Sequence, residues 1–428
     1  MTRSPLAAIP ALQSGGPPPP ATVASSFAHN IELLGYHDLA GRPAFKLALQ
    51  EVAARWYLYM GHLWHRGWSI LDVTDPTSPE LIAFIPGPEN TWTIQIQVAE
   101  GKMITALERI APGWGGSEQK PYSEGFLIWD VSDPRRPRRL GHYRTDSTGT
   151  HRNFYDGGSL VHVAGGAPGF DKKIYQIVDI SDPEKPKLVS RFWIPEQEEA
   201  RARPEARISL HGPPHVEGKR AYLSYGEAGA IIVDISDLER PQMVSQVVFK
   251  GVTNHHGIHT YQPLPKRKLA VVNDETINEN GDEDLNIVGI VGLADEAQPR
   301  VIALFPQPLP PPESGLKNFF EKEGRFGPHN QHHWNHQPCL ENRDDLVYLT
   351  YFNAGLRVYD IRDERTPKEI AYFIPPNPTN RIGTKPASRL VVQVEDVLVD
   401  RRGCIYISEK NQGLYILRLK EVWPYAGA

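Results

Sequence analysis

The sequence predicts an all-β fold, a seven-bladed β-propeller closed by pairing of an N-terminal strand with the C-terminal blade. Three observations lead to this prediction. One strand–turn–strand pattern, seen as GAIIVDISDLERPQMV at 229–244, recurs along most of the 428 residues. Clear neighbouring copies stand roughly 50–60 residues apart, as propeller blades do. The last copy lacks its outer strand, and a strand of that type stands near residue 31.

Four further copies repeat the pattern clearly. They read GWSILDVTDPTSPELI from Gly67, GFLIWDVSDPRRPRRL from Gly125, IYQIVDISDPEKPKLV from Ile174 and GLRVYDIRDERTPKEI from Gly355. An aspartate ends the first strand of each of the five clear copies. Successive aspartates are 58, 49, 55 and 126 residues apart, and they are Asp72, Asp130, Asp179, Asp234 and Asp360. The longest gap contains a degenerate copy at 285–305, with Gly292 in place of the aspartate. The partial copy GLYILRL begins at Gly413 and brings the count to seven.

The segment Ile31–His37 (IELLGYH) resembles the outer strands of the other copies, yet no inner strands precede it. We expect it to complete the last blade, because such closure hides sheet edges that would otherwise invite aggregation. The predicted organisation is a Pro-rich arm at 1–28, disordered or wrapping, followed by one propeller domain at 29–428.

The acidic turn of the repeat is predicted to be structural. A short Asp or Ser side chain bonds nearby backbone, the following Pro fixes φ, and a second Pro begins an outer strand where a missing N–H does no harm. The repeat aspartates are therefore not expected to be catalytic.

Strands such as IIVDISD resemble the repeat of the LVIVD-repeat proteins, and the resemblance covers nearly all of the chain from about residue 30. It implies the propeller fold. It implies no particular activity, because a repeat of this kind is a scaffold onto which functional sites are built.

Composition and motifs exclude several classes of function. The net charge is −5 with both signs interspersed, so no basic field favours nucleic acid. No apolar run approaches the roughly 20 residues of a membrane span, and two cysteines, Cys339 and Cys404, make no disulfide framework. Neither a nucleotide-binding motif nor a nucleophile signature is present. We therefore expect a cytoplasmic protein whose partner is a small molecule, not nucleic acid or membrane.

The functional signal is a set of histidines. Ten of the 16 histidines fall in four segments, each ahead of the second strand of a successive blade. Innermost strands of neighbouring blades run side by side around the channel, so equivalent positions converge. Counting back from the second strands aligns His151, His211, His256 and His333. These four are predicted to bind one transition metal ion, with Fe or Cu favoured and Zn or Mn as alternatives, because imidazole is the commonest metal-binding side chain.

Two ligand positions stay open in this prediction. His255 precedes His256 and His332 precedes His333, and neighbouring residues of a strand face opposite sides.

Other residues of the same segments are predicted to be catalytic. His215, His259 and His336 are candidate acid/base groups, since an ordinary histidine titrates near neutral pH. Arg152 and Tyr155, close to His151, are candidates for binding an anionic or phenolic substrate.

Five glutamates near strand ends are candidates for orienting the imidazoles, namely Glu108, Glu227, Glu275, Glu395 and Glu409. Two long Gly- or Pro-rich loops, at 110–124 and 306–328, are candidate lids. If both lie on one face of the propeller, that face is the predicted entrance.

Four neutral ligands would leave the full charge of the ion for substrate or dioxygen, which favours an oxygenase or oxidase acting on a small aromatic or anionic molecule. The arrangement is similar to that of the carotenoid-cleaving dioxygenases, propellers with iron on four histidines, although none of their motifs is present. A metal-dependent hydrolase or lyase is the second hypothesis, by analogy with the propeller-based oligogalacturonate lyases. The third is a non-catalytic interaction scaffold with structural histidines.

Overall fold

Seven antiparallel sheets make up the fold in the computed structural model, which describes residues 26–64, 66–203, 205–249, 256–283, 286–385 and 387–421. The protein is the predicted all-β, seven-bladed propeller. The described chain starts with two strands that join the last two blades, β1 (Phe27–His29) and β2 (Ile31–His37).

The first three blades are built from consecutive strands. Blade one contains β3 (Ala44–Val52), β4 (Arg55–His62), β5 (Gly67–Asp72) and β6 (Glu80–Pro86). Blade two contains β7 (Thr91–Trp92), β8 (Ile96–Ala99), β9 (Lys102–Arg109), β10 (Gly125–Asp130) and β11 (Arg138–Tyr143). Blade three contains β12 (Thr150–Phe154), β13 (Leu160–Gly165), β14 (Ile174–Asp179) and β15 (Lys187–Phe192).

The next two blades follow the same order. Blade four contains β16 (His215–Glu217), β17 (Arg220–Ser224), β18 (Ala230–Asp234) and β19 (Gln242–Val247). Blade five contains β20 (Ile258–Leu264), β21 (Leu269–Asp274), β22 (Val288–Gly292) and β23 (Arg300–Leu304).

The last two blades borrow an outer strand from the start of the chain. Blade six contains β24 (Leu346–Thr350), β25 (Leu356–Asp360) and β26 (Lys368–Ile374), with β1 outside β26. Blade seven contains β27 (Val394–Val399), β28 (Cys404–Glu409) and β29 (Gly413–Leu419), with β2 outside β29. The inner segment of blade six is joined to β24 by the isolated bridge Gln331↔Leu349.

The N-terminal strand closes the ring as predicted. β2 is antiparallel to β29, with Ile31 opposite Leu419 and His37 opposite Leu414. In every blade the register shifts by one residue between the repeat strand and the strand that pairs with its outer side, which is β26 in blade six and β2 in blade seven. In β2 this β-bulge is at Leu34. The N-terminal segment therefore has the local geometry of a genuine outer strand.

The repeat aspartates form turns, as their sequence predicts. Each of the five accepts a hydrogen bond from the backbone N–H two residues later, at 2.7–3.1 Å, the residues being Asp72, Asp130, Asp179, Asp234 and Asp360. Their carboxylates therefore fix the strand–turn–strand connection.

Hydrophobic side chains pack between neighbouring sheets. Between blades four and five, for example, Tyr222 and Ile232 pack with Tyr261 and Val272. Five short 3-10 helices lie in the connections of the described chain, at Pro112–Trp114, Pro195–Gln197, Pro265–Arg267, Pro312–Ser314 and Phe319–Lys322. None of the described helices combines the length and apolar character that crossing a membrane requires.

We predict that Gly35→Ala weakens the closure of the ring. A Cβ at Gly35 would lie 2.1 Å from the carbonyl oxygen of Pro76 in blade one, so β2 would have to move away. Overpacking of this kind costs about 1–3 kcal/mol, and thermal unfolding should show a lower midpoint. Gly113→Ala is the matched control, because no described atom lies within 4 Å of a Cβ there. Equal midpoints for the two variants would contradict the prediction.

Candidate functional site

A cavity of about 440 Å³ opens at one end of the channel. The 110–124 loop contributes Ala111, Pro112 and Trp114 to its lining, and the 306–328 loop contributes Arg325. The guanidinium carbon of Arg325 lies 5.7 Å from the centre of the Trp114 ring. The two candidate lids therefore meet at one face of the propeller, and the substrate entrance is predicted at this face.

Four histidines from successive blades form a partial ring beside this cavity. The ring centroids of His151 and His211 are 4.8 Å apart, those of His211 and His259 are 5.2 Å apart, and those of His259 and His329 are 5.3 Å apart. We call these four residues the histidine arc. The convergence of equivalent positions in the channel follows from the propeller geometry, although the members differ in part from those expected.

Hydrogen bonds between blades hold the backbone of the arc. The Ser224 hydroxyl of blade four donates to the carbonyl oxygen of His259 at 2.5 Å. The Asn273 side-chain amide of blade five donates to the carbonyl oxygen of His329 at 2.8 Å. A Cβ on Gly212 would lie 1.7 Å from the His259 carbonyl oxygen, so a glycine is required directly after His211. The imidazoles therefore project from a rigid inner wall.

The carboxylate of Glu275 lies among three of these imidazoles. Its Oε2 atom is 3.7 Å from Nε2 of His211 and 3.5 Å from Nε2 of His259, and its Oε1 atom is 3.4 Å from Nε2 of His329. His211, His259 and Glu275 each offer a ligand atom, and these atoms all lie within 4.8 Å of one another. A carboxylate therefore lies among imidazoles where the sequence analysis expected neutral ligands alone.

His151 is oriented by Glu108, one of the glutamates that the sequence suggested for this role. Its Nδ1 lies 2.5 Å from Oε2 of Glu108, whose other oxygen is 3.0 Å from Nζ of Lys173. Burial raises the pKa of Glu108, but His151 and Lys173 lower it further, to about 2. A carboxylate accepting from Nδ1–H leaves Nε2 of His151 with a free lone pair.

Three imidazoles of the arc, those of His151, His211 and His259, favour the neutral form. Burial lowers the pKa of His151 to about 4 and lowers those of His211 and His259 well below the usual value. His259 Nδ1 is 2.8 Å from the Thr260 hydroxyl, while its Nε2 has no hydrogen-bond partner within the described chain. Neutral imidazoles with available Nε2 atoms are the form that binds metal ions.

Two of the predicted ligands stand elsewhere, so the predicted grouping is corrected. His256 lies at the cavity wall, with Nε2 3.7 Å from Glu283, in the turn before β20, and His259 occupies the arc position in blade five. In blade six that position belongs to His329, not His333. Counting back from β24 failed because a long connection, 335–345, separates it from the inner segment. The alternative ligand His255 lies outside the described residues.

The remaining predicted histidines form a second group deeper in the channel. The ring centroids of His215 and His333 are 4.4 Å apart, and Phe154 contacts both of these rings and that of His336. His215 and His333 line a small cavity of about 20 Å³. Nε2 of His336 lies 3.0 Å from the carbonyl oxygen of Val216. The predicted acid/base residues His215 and His336 are therefore separate from His259, which belongs to the arc.

The two candidates for binding substrate, Arg152 and Tyr155, lie in different surroundings. Arg152 lines the cavity and is 1 % exposed. Tyr155, predicted to bind substrate, is instead packed in the core between blades two and three and donates to the Gly158 carbonyl oxygen at 3.2 Å. It lies three positions after Arg152, and an odd spacing places strand side chains on opposite faces.

The other three glutamates proposed to orient the imidazoles differ in what they contact. Glu395 lies 3.3 Å from Nδ1 of His329. Glu409 accepts backbone N–H bonds from Gln393 and Asn411, and Glu227 is exposed.

His329 was missed as a site residue, yet the sequence contains a usable signal. Both HGPPH at 211–215 and HNQHH at 329–333 have histidines four residues apart. Positions separated by an even number share one face of an extended strand. Aligning these pairs, instead of counting back from the next strand, would have placed His329 level with His211.

The family comparison agrees with this architecture. The LVIVD repeat model matches residues 170–193 and 215–248, which contain β14 and β15 of blade three and all four strands of blade four. With its seven blades, the chain is an LVIVD-repeat β-propeller protein. No curated protein matches the sequence.

Two solved structures are similar to this chain at low sequence identity. The β-propeller domain of Cps50 (Swd1) from Myceliophteria thermophila is 11% identical, with a TM-score of 0.52, over 88% of this chain and 98% of that chain. Streptogramin B lyase is 10% identical, with a TM-score of 0.49, over 92% of this chain and 98% of that chain. The similarity to the Cps50 domain concerns the fold alone.

Proposed function

We propose that this protein is a metal-dependent enzyme that oxidises or oxygenates a small aromatic or anionic molecule in the cavity. The observation that carries the proposal is the group formed by His211, His259 and Glu275. Two imidazoles and one carboxylate on one side of an ion are the ligand set of non-haem iron(II) oxygenases. Iron is therefore favoured, with copper, zinc and manganese as alternatives.

The spacing of the arc supports a shared ion. Two imidazoles that bind one ion through Nε2 at about 2.1 Å have ring centroids roughly 4.5–5.5 Å apart. Successive centroids in the arc are 4.8, 5.2 and 5.3 Å apart. His151 and His329 are therefore further candidate ligands beside the central three.

The surrounding residues have defined roles in this proposal. Glu108 fixes the orientation of His151, and Thr260 does the same for His259. An ion bound here would supply Lewis acidity and, if it is iron or copper, an electron-transfer partner for dioxygen. The cavity above the arc gives a substrate access, and the loop that carries Trp114 limits its exposure to water.

A metal-dependent hydrolase or lyase is the second candidate, because two histidines and one glutamate also bind catalytic zinc. In that case a neutral imidazole of the arc that does not bind the ion would accept a proton. A cytoplasmic location, expected from the sequence, belongs to the same proposal.

A non-catalytic scaffold is the third candidate, favoured by the charge balance of the channel. Arg325 lies 2.9 Å from Glu395 and 3.7 Å from Glu275, and Lys410 lies 3.3 Å from Glu395. These buried charges compensate one another without an ion. Metal content distinguishes this candidate from the other two.

We predict that untagged protein binds close to one transition metal ion per chain. His259→Ala and Glu275→Gln should abolish binding, because each removes a central ligand. Glu108→Gln should weaken binding by about 10–100-fold, as loss of an orienting partner does. Elemental analysis and metal titration measure both effects.

The matched control for this metal prediction is His333→Ala, a buried channel histidine outside the arc, which should retain the metal. Absence of metal from folded wild-type protein, or equal binding in all variants, would contradict the proposal and leave the histidines as contacts between blades.

We further predict that the iron(II)-loaded protein consumes dioxygen in the presence of a small aromatic acid or phenol, and that Glu275→Gln does not. An oxygen electrode measures the rate, with zinc-loaded protein as the control that lacks redox chemistry. Hydrolysis or elimination by the zinc-loaded protein, without oxygen consumption by the iron form, would favour the second candidate.

A further inference from the structure

The cavity is cationic although the chain as a whole is negative. Seven Lys or Arg side chains and three Glu side chains line it, whereas the net charge of the chain is −5. An excess of positive charge inside a water-restricted cavity attracts anions and raises their local concentration. The excess is therefore a property of this site and not of the surface.

Arg152 is the buried cation with the fewest partners in this wall. Its side chain is 1 % exposed, and its Nε and Nη1 atoms donate no hydrogen bond within the part of the chain that is described. No described carboxylate forms an ion pair with it, although Glu275 and Glu395 are near enough to influence its pKa. A buried cation without a paired anion is costly, and a ligand carboxylate would remove that cost.

Lys410 provides a second positive group. It is fully buried, and its Nζ lies 3.3 Å from Oε1 of Glu395 in a geometry that forms no hydrogen bond. Burial lowers the pKa of Lys410, which remains about 8, so the ammonium form predominates at neutral pH. The Lys410 ammonium, which is paired with Glu395, thus adds positive charge to the wall, while the donors without a partner are those of Arg152.

Aromatic side chains form the rest of the wall. Phe45, Trp92 and Trp114 line the cavity, and the centroids of Trp92 and Trp114 are 5.4 Å apart at 68°. The guanidinium carbon of Arg152 lies 5.0 Å from the centre of the Phe45 ring. Apolar ring faces beside free cationic donors are complementary to a planar molecule with one anionic end.

We infer that the cavity binds a small aromatic carboxylate, with Arg152 as the principal anion-binding residue and the Phe45–Trp114 wall as the contact for the ring. This inference rests on the proposed function, since it names the substrate class of the same site. Both the aromatic part and the charge are required. A polyhydroxylated acid would place hydroxyl groups against the apolar ring faces of Phe45, Trp92 and Trp114, and a neutral ring would leave the donors of Arg152 unpaired.

The test is binding of benzoate to metal-stripped full-length protein, measured by calorimetry and tryptophan fluorescence. Benzamide has the same shape without the charge, and acetate has the charge without the ring. Benzoate should bind about tenfold or more tightly than either, because each analogue loses one of the two kinds of contact.

Two variants locate the ligand. Arg152→Gln should weaken benzoate binding about tenfold or more, and Arg136→Gln, in an outer turn with its side chain 87% exposed, should not change it. Since Arg152→Gln alters a buried position, Trp114→Leu on the loop provides a second variant. It should weaken binding of benzoate and leave that of acetate unchanged.

The outcomes separate this inference from the metal proposal. Equal affinity for benzoate and benzamide, or no benzoate binding at millimolar concentration by folded protein, would overturn the aromatic carboxylate. Benzoate binding to a protein that never takes up metal would support this inference and overturn the proposed function. Metal uptake without benzoate binding would support the proposed function and overturn this inference.

Discussion

Closure of the ring is the constraint on which the rest of the structure depends. At the outside, β2 pairs with β29, and at the inside, Nζ of Lys46 in blade one lies 2.7 Å from Oδ1 of Asp396 in blade seven. Asp396 is fully buried and also accepts the backbone N–H of Leu47 at 2.8 Å. Removing one member of such a pair leaves a buried charge alone, which typically costs about 3–5 kcal/mol. The first contact pairs the N-terminal strand with the last blade and the second joins blade one to blade seven, so the ring is closed at its outer and inner edges.

A closed ring forces polar inner segments together in a channel that excludes much of the water. Amide side chains join these segments, as when Gln95 of blade two donates to the Asn153 carbonyl oxygen at 3.0 Å. The same exclusion of water favours the neutral form of His151, His211 and His259, and it strengthens each ion pair. The site therefore combines neutral histidines with a compensated set of buried charges, in which Arg152 alone among the buried arginines at the arc lacks an ion pair within the described residues.

The features that sequence predicted well are local. The repeat aspartates bond backbone two residues away, and the outer-strand pattern of 31–37 is visible in seven consecutive residues, so neither depends on distant contacts. The level of a histidine in the channel depends instead on the length of each connection. Residue 256 falls in a turn and residue 333 lies after an extra stretch of inner segment, so a fixed count misplaced both. Glu275 follows the second strand of its blade, and only the folded ring brings its carboxylate to the imidazoles.

The two histidine groups follow from the same strand periodicity but differ in what surrounds them. Four residues of extended chain span roughly 13 Å, which separates the level of His211 and His329 from that of His215 and His333. The deeper level adjoins a cavity of about 20 Å³, enough for a water molecule but not for a substrate. The upper level has a carboxylate between its imidazoles and a cationic, aromatic-walled cavity of about 440 Å³. The chemistry that we propose on a small molecule is therefore assigned to the upper level, while the deeper histidines pack around Phe154.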